Sequence, residues 1–309
     1  MTTRPTNGAG EPGHPGLQRL EQAAGGFAMV ALDQRESLRT MLARGADPRE
    51  IPDAAVFDFK RIGIEELSPH ASAMLLDRLY AVGTTRPEGL AANCALTLAA
   101  DVLVQDVGQD VAAIELDTDV TPEVVRDVGA AALKLLVLWS TDEPEQMRAD
   151  MTRAFIDLCR AVDVPSIVEG IVRPPRGEQW ASAQQRHEAV LTAAVELSSH
   201  GADLYKCQVP GYLPGDLAEV TAWSRRVTAA LACPWVVLSN GVRAEDFTAA
   251  VEAACAGGAS GFLAGRAIWA DTVGAEDLCS ELRARSLPRL QRLAAIVATA
   301  CAAGVATQA

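Results

Sequence analysis

Short, almost wholly apolar runs recur along this chain, each set off by segments whose apolar residues return every three or four positions. Runs of four to eight such residues read as strands buried on both faces, and the segments between them as helices with one apolar face. The runs are Phe27 to Leu32, Ser72 to Asp77, a weaker one from Cys94 to Ala99, Leu133 to Trp139, Pro165 to Val172, Asp203 to Val209, Trp235 to Gly241 and Gly261 to Ala267. Strand and helix in alternation predict a parallel sheet, and eight strands is the number that closes one. The expected fold class is therefore α/β, a (β/α)8 TIM barrel.

The helical segments carry matching marks. One follows the first run to about Ala43, and another spans Val56 to Leu67. Between the fourth and fifth runs Asp142 can cap and Pro144 sits near the first turn. Met147, Met151, Ala154, Phe155, Leu158 and Val162 then repeat at helical spacing. Leu217, Val220, Trp223 and Val227 do the same, as do Phe247, Val251 and Ala254, where Gly257-Gly258 ends the helix. Leu282 to Val305 is helical in pattern and predicted to pack on the outside. Met1 to Gly16, rich in Gly, Pro and Thr, reads as a disordered tail and not a signal peptide. That leaves 17–309 as one barrel domain with a C-terminal helical extension.

Composition narrows the classes of function. A hydrophobic fraction of 49% supplies a large core, and a net charge of −13 with scattered arginines lacks the basic face that nucleic acid needs. Seven cysteines with no Cys-x-x-Cys pair read as reduced core residues of a cytoplasmic protein. The four histidines have no partner at ligand spacing, so neither a metal nor another cofactor is expected. No uninterrupted apolar stretch reaches 18 residues, and no membrane span is predicted. Barrels of this kind often associate as homo-oligomers, but no contact face is legible.

Candidate chemistry gathers where such a barrel keeps its active site, at the C-terminal ends of the strands. The chain has only three lysines, and two of them, Lys134 and Lys206, interrupt apolar runs. Burying an amine, or setting a second cation beside it, favours the neutral, nucleophilic form that Schiff-base chemistry uses. A lysine whose stem is buried while its head reaches water is the bland alternative for either one alone. Inward placement would make Lys134, Glu169 and Lys206 neighbours on three adjacent strands, with Glu169 able to move protons. A structural salt bridge accounts for one lysine, not two. Asp33-Gln34-Arg35 ends the first strand, and Asp33 could hold Arg35 or a sugar hydroxyl. Ser239-Asn240-Gly241 and Gly265-Arg266 end the last two strands, where loops of this fold recurrently bind phosphate; tight turns alone would also use these glycines. Arg173-Pro174-Pro175-Arg176 could hold a second anionic end or be a solvated loop. Lys60 is expected at the surface.

Several blocks resemble one family. Gly26 to Arg35, Leu67 to Ala73, Ala132 to Trp139, Val172 to Arg176, Ala202 to Lys206 and Ser260 to Arg266 are similar to the class I aldolases that cleave tagatose 1,6-bisphosphate and sulfofructose phosphate. The Leu135 to Trp139 and Arg173 to Arg176 blocks look closer to the sulfofructosephosphate branch, hence to sulfoglycolysis. The resemblance implies Lys206 as Schiff-base lysine, Glu169 as acid/base, Lys134 as its neighbour, and Asp33, Gln34 and Arg35 at the substrate. Ser239 and Arg266 would hold a phosphate or sulfonate. Implied products are dihydroxyacetone phosphate and an aldehyde such as sulfolactaldehyde. Alternatives are a tagatose-bisphosphate or deoxyribose-phosphate aldolase, or a non-catalytic sugar-phosphate sensor. Two departures stand out: Gln208 occupies a position where the family usually has Glu, and the stretch from Val104 to Asp119 matches poorly.

Overall fold

The computed structural model describes residues 14–105 and 111–307. Ten strands lie among them: β1 (Phe27–Leu32), β2 (Ala73–Leu76), β3 (Ala95–Ala99), β4 (Asp101–Val104), β5 (Ala113–Leu116), β6 (Ala132–Trp139), β7 (Ser166–Val172), β8 (Leu204–Gln208), β9 (Trp235–Leu238) and β10 (Gly261–Ala264). Eight close a parallel barrel in the order β1-β2-β3-β6-β7-β8-β9-β10, and β10 pairs back onto β1 from Gly261 opposite Phe27 to Ala264 opposite Val30. The eight apolar runs are these eight strands. Their ends are trimmed, because the polar residues after Leu76, Leu238 and Ala264 leave the sheet to form the mouth.

Alternation divides the strand residues between two cores. Phe27, Met29, Ala31, Ala73, Leu75, Ala99, Ala132, Ile167, Leu204, Val236 and Leu263 fill the barrel interior. Their alternate neighbours, Leu133, Leu135, Val168, Tyr205 and Val237 among them, meet the helices outside. Leu17 and Leu20 join the interior cluster from a 3-10 turn, Pro15–Leu20, that closes the end where the strands begin. Within the stretch read as a tail, His14 accepts a hydrogen bond from the Gly16 amide. Residues 1–13 of the expected tail lie outside the described residues.

Three further expectations change. The helix Glu145–Ala161 buries Arg148, Ala149, Thr152, Phe155, Ile156 and Cys159, whereas Met147 is 68% exposed and Ala154 is exposed. A polar anchor turns the helix: the Arg148 guanidinium lies 2.7 Å from Glu196 and donates to the carbonyls of Ser140 and Glu143. The poorly matching stretch after the third strand holds an antiparallel hairpin, β4 with β5, from Asp101 opposite Leu116 to Val104 opposite Ala113. Lys60, finally, is fully buried in the helix Asp53–Leu67 and paired with Asp77, the residue that follows β2. Asp77 also accepts from the Tyr80 amide (2.7 Å). Burial pushes the Lys60 ammonium below its ordinary range even with Asp77 beside it. A helical pattern shows which residues share a face, but one lysine in it can turn inward wherever a strand end supplies a carboxylate. Among the described residues no helix is long and apolar enough to cross a membrane.

Removing one partner of a buried ion pair strands the other, which costs about 3–5 kcal/mol, whereas replacing both by apolar groups is often near neutral. Lys60→Met alone is therefore expected to lower the urea midpoint strongly, and Lys60→Met with Asp77→Leu to recover most of the loss. A double variant no more stable than the single one would contradict this account.

Candidate active site

Above the apolar interior, toward the C-terminal ends of the strands, the inward positions become polar. Lys134 on β6, Glu169 on β7 and Lys206 on β8 all point into the barrel, with Glu169 opposite Lys206 in the register of β7 and β8. The Glu169 Oε2 lies 2.9 Å from the Lys206 amine and 2.8 Å from the Lys134 amine, so one carboxylate oxygen bridges two lysines. Lys134 has two more carboxylates around it, Asp33 Oδ2 and Asp101 Oδ2, each at 3.0 Å. An ammonium has three protons to donate. Those of Lys134 face three carboxylates. Lys206 has one carboxylate among the described residues, Glu169.

Asp101 is the residue that sequence reasoning missed. It is the first residue of β4, directly beyond the end of β3, and is 1% exposed. Its Oδ2 also accepts from the Leu136 amide (3.0 Å), while its Oδ1 and its carbonyl hold the Arg35 guanidinium at 3.1 and 2.7 Å. Of the two partners offered for Asp33, Arg35 is not the one it takes: Arg35 binds Asp101, and Asp33 binds Lys134. Arg35 is buried behind the cluster and not free at the mouth. The signal for Asp101 was a charged residue ending the apolar run Leu96 to Ala100, the same sign that marked Asp33 after β1.

The other expected residues fall into two further groups. At the turns after β9 and β10, Asn240 Oδ1 accepts from Arg266 (2.5 Å) and Ser239 is largely buried. Gly241 has φ +78°, and a Cβ there would meet the Arg186 guanidinium at 3.3 Å. Gly265 lets β10 approach β1, since a Cβ would fall 2.6 Å from the Ala31 carbonyl and 3.0 Å from Gln34 Nε2. The buried Oε1 of Gln34 has no hydrogen-bond partner among the described residues. Arg173 stands apart from both lysines' cluster: its guanidinium donates to the Val111 carbonyl, on the hairpin side of the mouth.

The electrostatics follow from this packing. Burial alone would lower the pKa of Lys134, but the carboxylates of Asp101, Asp33 and Glu169 outweigh it and hold the ammonium well above the ordinary lysine value. Burial would raise Glu169; Lys134 and Lys206 overcome it and hold the carboxyl below its usual range, against an opposing push from Asp33. Asp33 is likewise depressed, mainly by Lys134 and then Lys206, despite its burial. Glu169 is therefore an anion in the free protein, placed to accept a proton first and return it later.

A closed parallel barrel with two lysines sharing one glutamate at its mouth has the parts of an imine-forming aldolase, a carbon–carbon lyase. Residues 27–271 match the model of the DeoC/LacD family aldolases, and this chain belongs to that family. It is 30% identical over 280 residues to a tagatose 1,6-diphosphate aldolase of Listeria monocytogenes, covering 84% of this chain and 81% of that protein. A tagatose 1,6-diphosphate aldolase of Staphylococcus aureus is 27% identical over 282 residues, covering 83% and 84%. Among solved structures, fructose-bisphosphate aldolase from Plasmodium falciparum superposes with a TM-score of 0.68 over 92% of this chain and 93% of that one, at 16% identity. An archaeal fructose-1,6-bisphosphate aldolase, whose catalytic lysine is covalently bound to a carbinolamine intermediate, gives 0.60 at 17% identity, covering 92% and 98%.

Removing the central cation leaves three carboxylates without it, so Lys134→Met is expected to cost about 3–5 kcal/mol in urea denaturation at neutral pH. The pH dependence has a definite sign. Asp33 and Glu169 have folded-state values below their unfolded ones, so the stability they contribute is complete above about pH 5 and is lost as pH falls below about 4. The raised value of Lys134 keeps its contribution complete below about pH 10, to be lost only at higher pH. Tm against pH should therefore fall less steeply in acid for Lys134→Met than for the wild type; parallel curves would contradict the cluster's role.

Proposed function

We propose that this protein cleaves a phosphorylated six-carbon ketose through an imine on Lys206. The observation that carries the reading is the unequal commitment of the two lysines: three carboxylates surround Lys134, one touches Lys206. In the reaction this implies, Glu169 takes a proton from Lys206, and the freed amine attacks the substrate ketone to form a carbinolamine. Glu169 returns the proton to the carbinolamine hydroxyl, which leaves as water and gives a protonated imine. Deprotonation of the hydroxyl two carbons beyond the imine carbon releases an aldehyde, and the electrons of the broken carbon–carbon bond flow into the imine to give an enamine. Protonation of the enamine carbon and hydrolysis release dihydroxyacetone phosphate and restore Lys206. Lys134 stays protonated throughout and stabilises negative charge on Glu169.

Two names fit the ketose. The Listeria and Staphylococcus relatives support tagatose 1,6-bisphosphate. The Leu135 to Trp139 and Arg173 to Arg176 blocks support a sulfofructose 1-phosphate, and Arg173, which has no carboxylate partner among the described residues, suits either terminal anion. Ser239 and Arg266, at the turns after β9 and β10, would take the phosphate next to the ketone.

Borohydride reduction with dihydroxyacetone phosphate should add the mass of one reduced adduct to a peptide containing Lys206. An adduct that persists at full yield in Lys206→Met would sink the assignment. Glu169→Gln, which keeps the shape and loses the base, is expected to lower kcat about 100-fold or more. Cleavage rates compared for tagatose 1,6-bisphosphate, 6-deoxy-6-sulfofructose 1-phosphate and deoxyribose 5-phosphate should favour the six-carbon dianionic-ended pair over the five-carbon substrate.

A further inference from the structure

One inward polar side chain of the mouth is not used by the chemistry above. Gln208 is the last residue of β8, two beyond Lys206, so it leaves the strand on the same interior face, one pleat nearer the mouth. It is buried, and its Oε1 accepts a hydrogen bond from the Val172 amide at the end of β7 (2.9 Å). That bond settles the orientation of the amide, because only the oxygen can accept from an N–H. Nε2 is thereby turned away from β7. It makes no hydrogen bond to any described residue, yet it is not one of the polar atoms sealed in the interior without a partner. Its two donors are left for whatever occupies the mouth.

The charge balance gives this neutral group a direction. Arg35, Lys134 and Lys206 stand against Asp33, Asp101 and Glu169, three cations with three anions, in contacts of 2.8 to 3.1 Å. A carboxylate at position 208, the residue the family usually has there, could only accept hydrogen bonds from a ligand. An amide leaves the balance and adds donors. The residue paired with Gln208 is Leu238, and Ser239 follows it directly, so the backbone of Gln208 lies next to the start of the turn after β9, while its side-chain amide leans to the end of β7.

Resting on the imine at Lys206, we propose that Gln208 is a substrate-contact residue that selects an anionic oxygen. Its Nε2 holds a phosphate oxygen on the dihydroxyacetone phosphate half of the ketose, while Val172 locks the amide in the donating orientation.

The test is adduct formation at Lys206 under cyanoborohydride, titrated with dihydroxyacetone phosphate and, in parallel, with uncharged dihydroxyacetone. Gln208→Glu keeps an oxygen for the Val172 amide and loses the donors. It is expected to raise the half-saturating concentration of dihydroxyacetone phosphate about tenfold or more near pH 8, with a much smaller shift for dihydroxyacetone and little change in Tm. Relative to wild type, that penalty should shrink near pH 5, where the introduced carboxyl begins to take up a proton and donate. Gln208→Met, which has neither acceptor nor donor, should show the phosphate-specific penalty at both pH values. Half-saturation unchanged in both variants, or equal penalties for the charged and uncharged ligands, overturns the Gln208 proposal while leaving the imine intact. A wild-type protein that forms no adduct at Lys206 overturns the imine reading, and this proposal with it.

Discussion

The site depends on a single ammonium. Lys134 is buried almost completely, a position that would be untenable for a lone charge. Three carboxylates from three different segments close around it: Asp33 after β1, Asp101 after β3 and Glu169 within β7. All three satisfy Lys134, and two of them also fix something else. Asp101 holds Arg35 and the Leu136 amide, and Glu169 reaches Lys206. Lys134 thus holds in place the carboxylate that also touches Lys206. Two lysines identical in chemistry are separated in role by how many of their protons are already spoken for.

Much of this was legible in the chain because a barrel strand has few ways to carry a charge. The eight apolar runs match the eight barrel strands; alternation alone left both faces of the lysine strands apolar, but an amine facing the helix layer would lack a partner, and that put Lys134 and Lys206 beside Glu169 inside the barrel. A charge embedded in an otherwise apolar strand has to face the mouth or be paired, so the oddity of the lysines was itself information. The turns after β9 and β10 were marked by glycines whose positive φ or close approach no other residue would tolerate, as Gly241 and Gly265 show.

What could not be read was who pairs with whom. Asp33, two residues away, was one candidate partner for Arg35, but its partner is Asp101, 66 residues on, because β3 brings that carboxylate to the guanidinium. Lys60 looked like an exposed position on a helix; its partner Asp77 lies beyond β2, and proximity across a helix–strand interface leaves no local mark. The Glu145–Ala161 helix presents a face shifted from its most apolar one because Arg148 is pinned to Glu196, 48 residues away. In each case the pattern predicted the element, while a long-range ion pair decided its rotation or the partner of its charge.

The pairing of β10 with β1 joins the two most distant strands of the barrel, and it lies beside Asp33, Gln34 and Gly265. A closed sheet has no edges, but a partly made one has two, and here they are the strands that carry Asp33 and Gly265 at their ends. During synthesis β1 emerges first and must wait for more than two hundred residues before its second neighbour exists. Closing so long a loop is an entropic cost met late in folding. The order of assembly therefore leaves this seam as the last part of the barrel to be zipped, and a chain cut short before β10 would carry a pair of open, adhesive sheet edges.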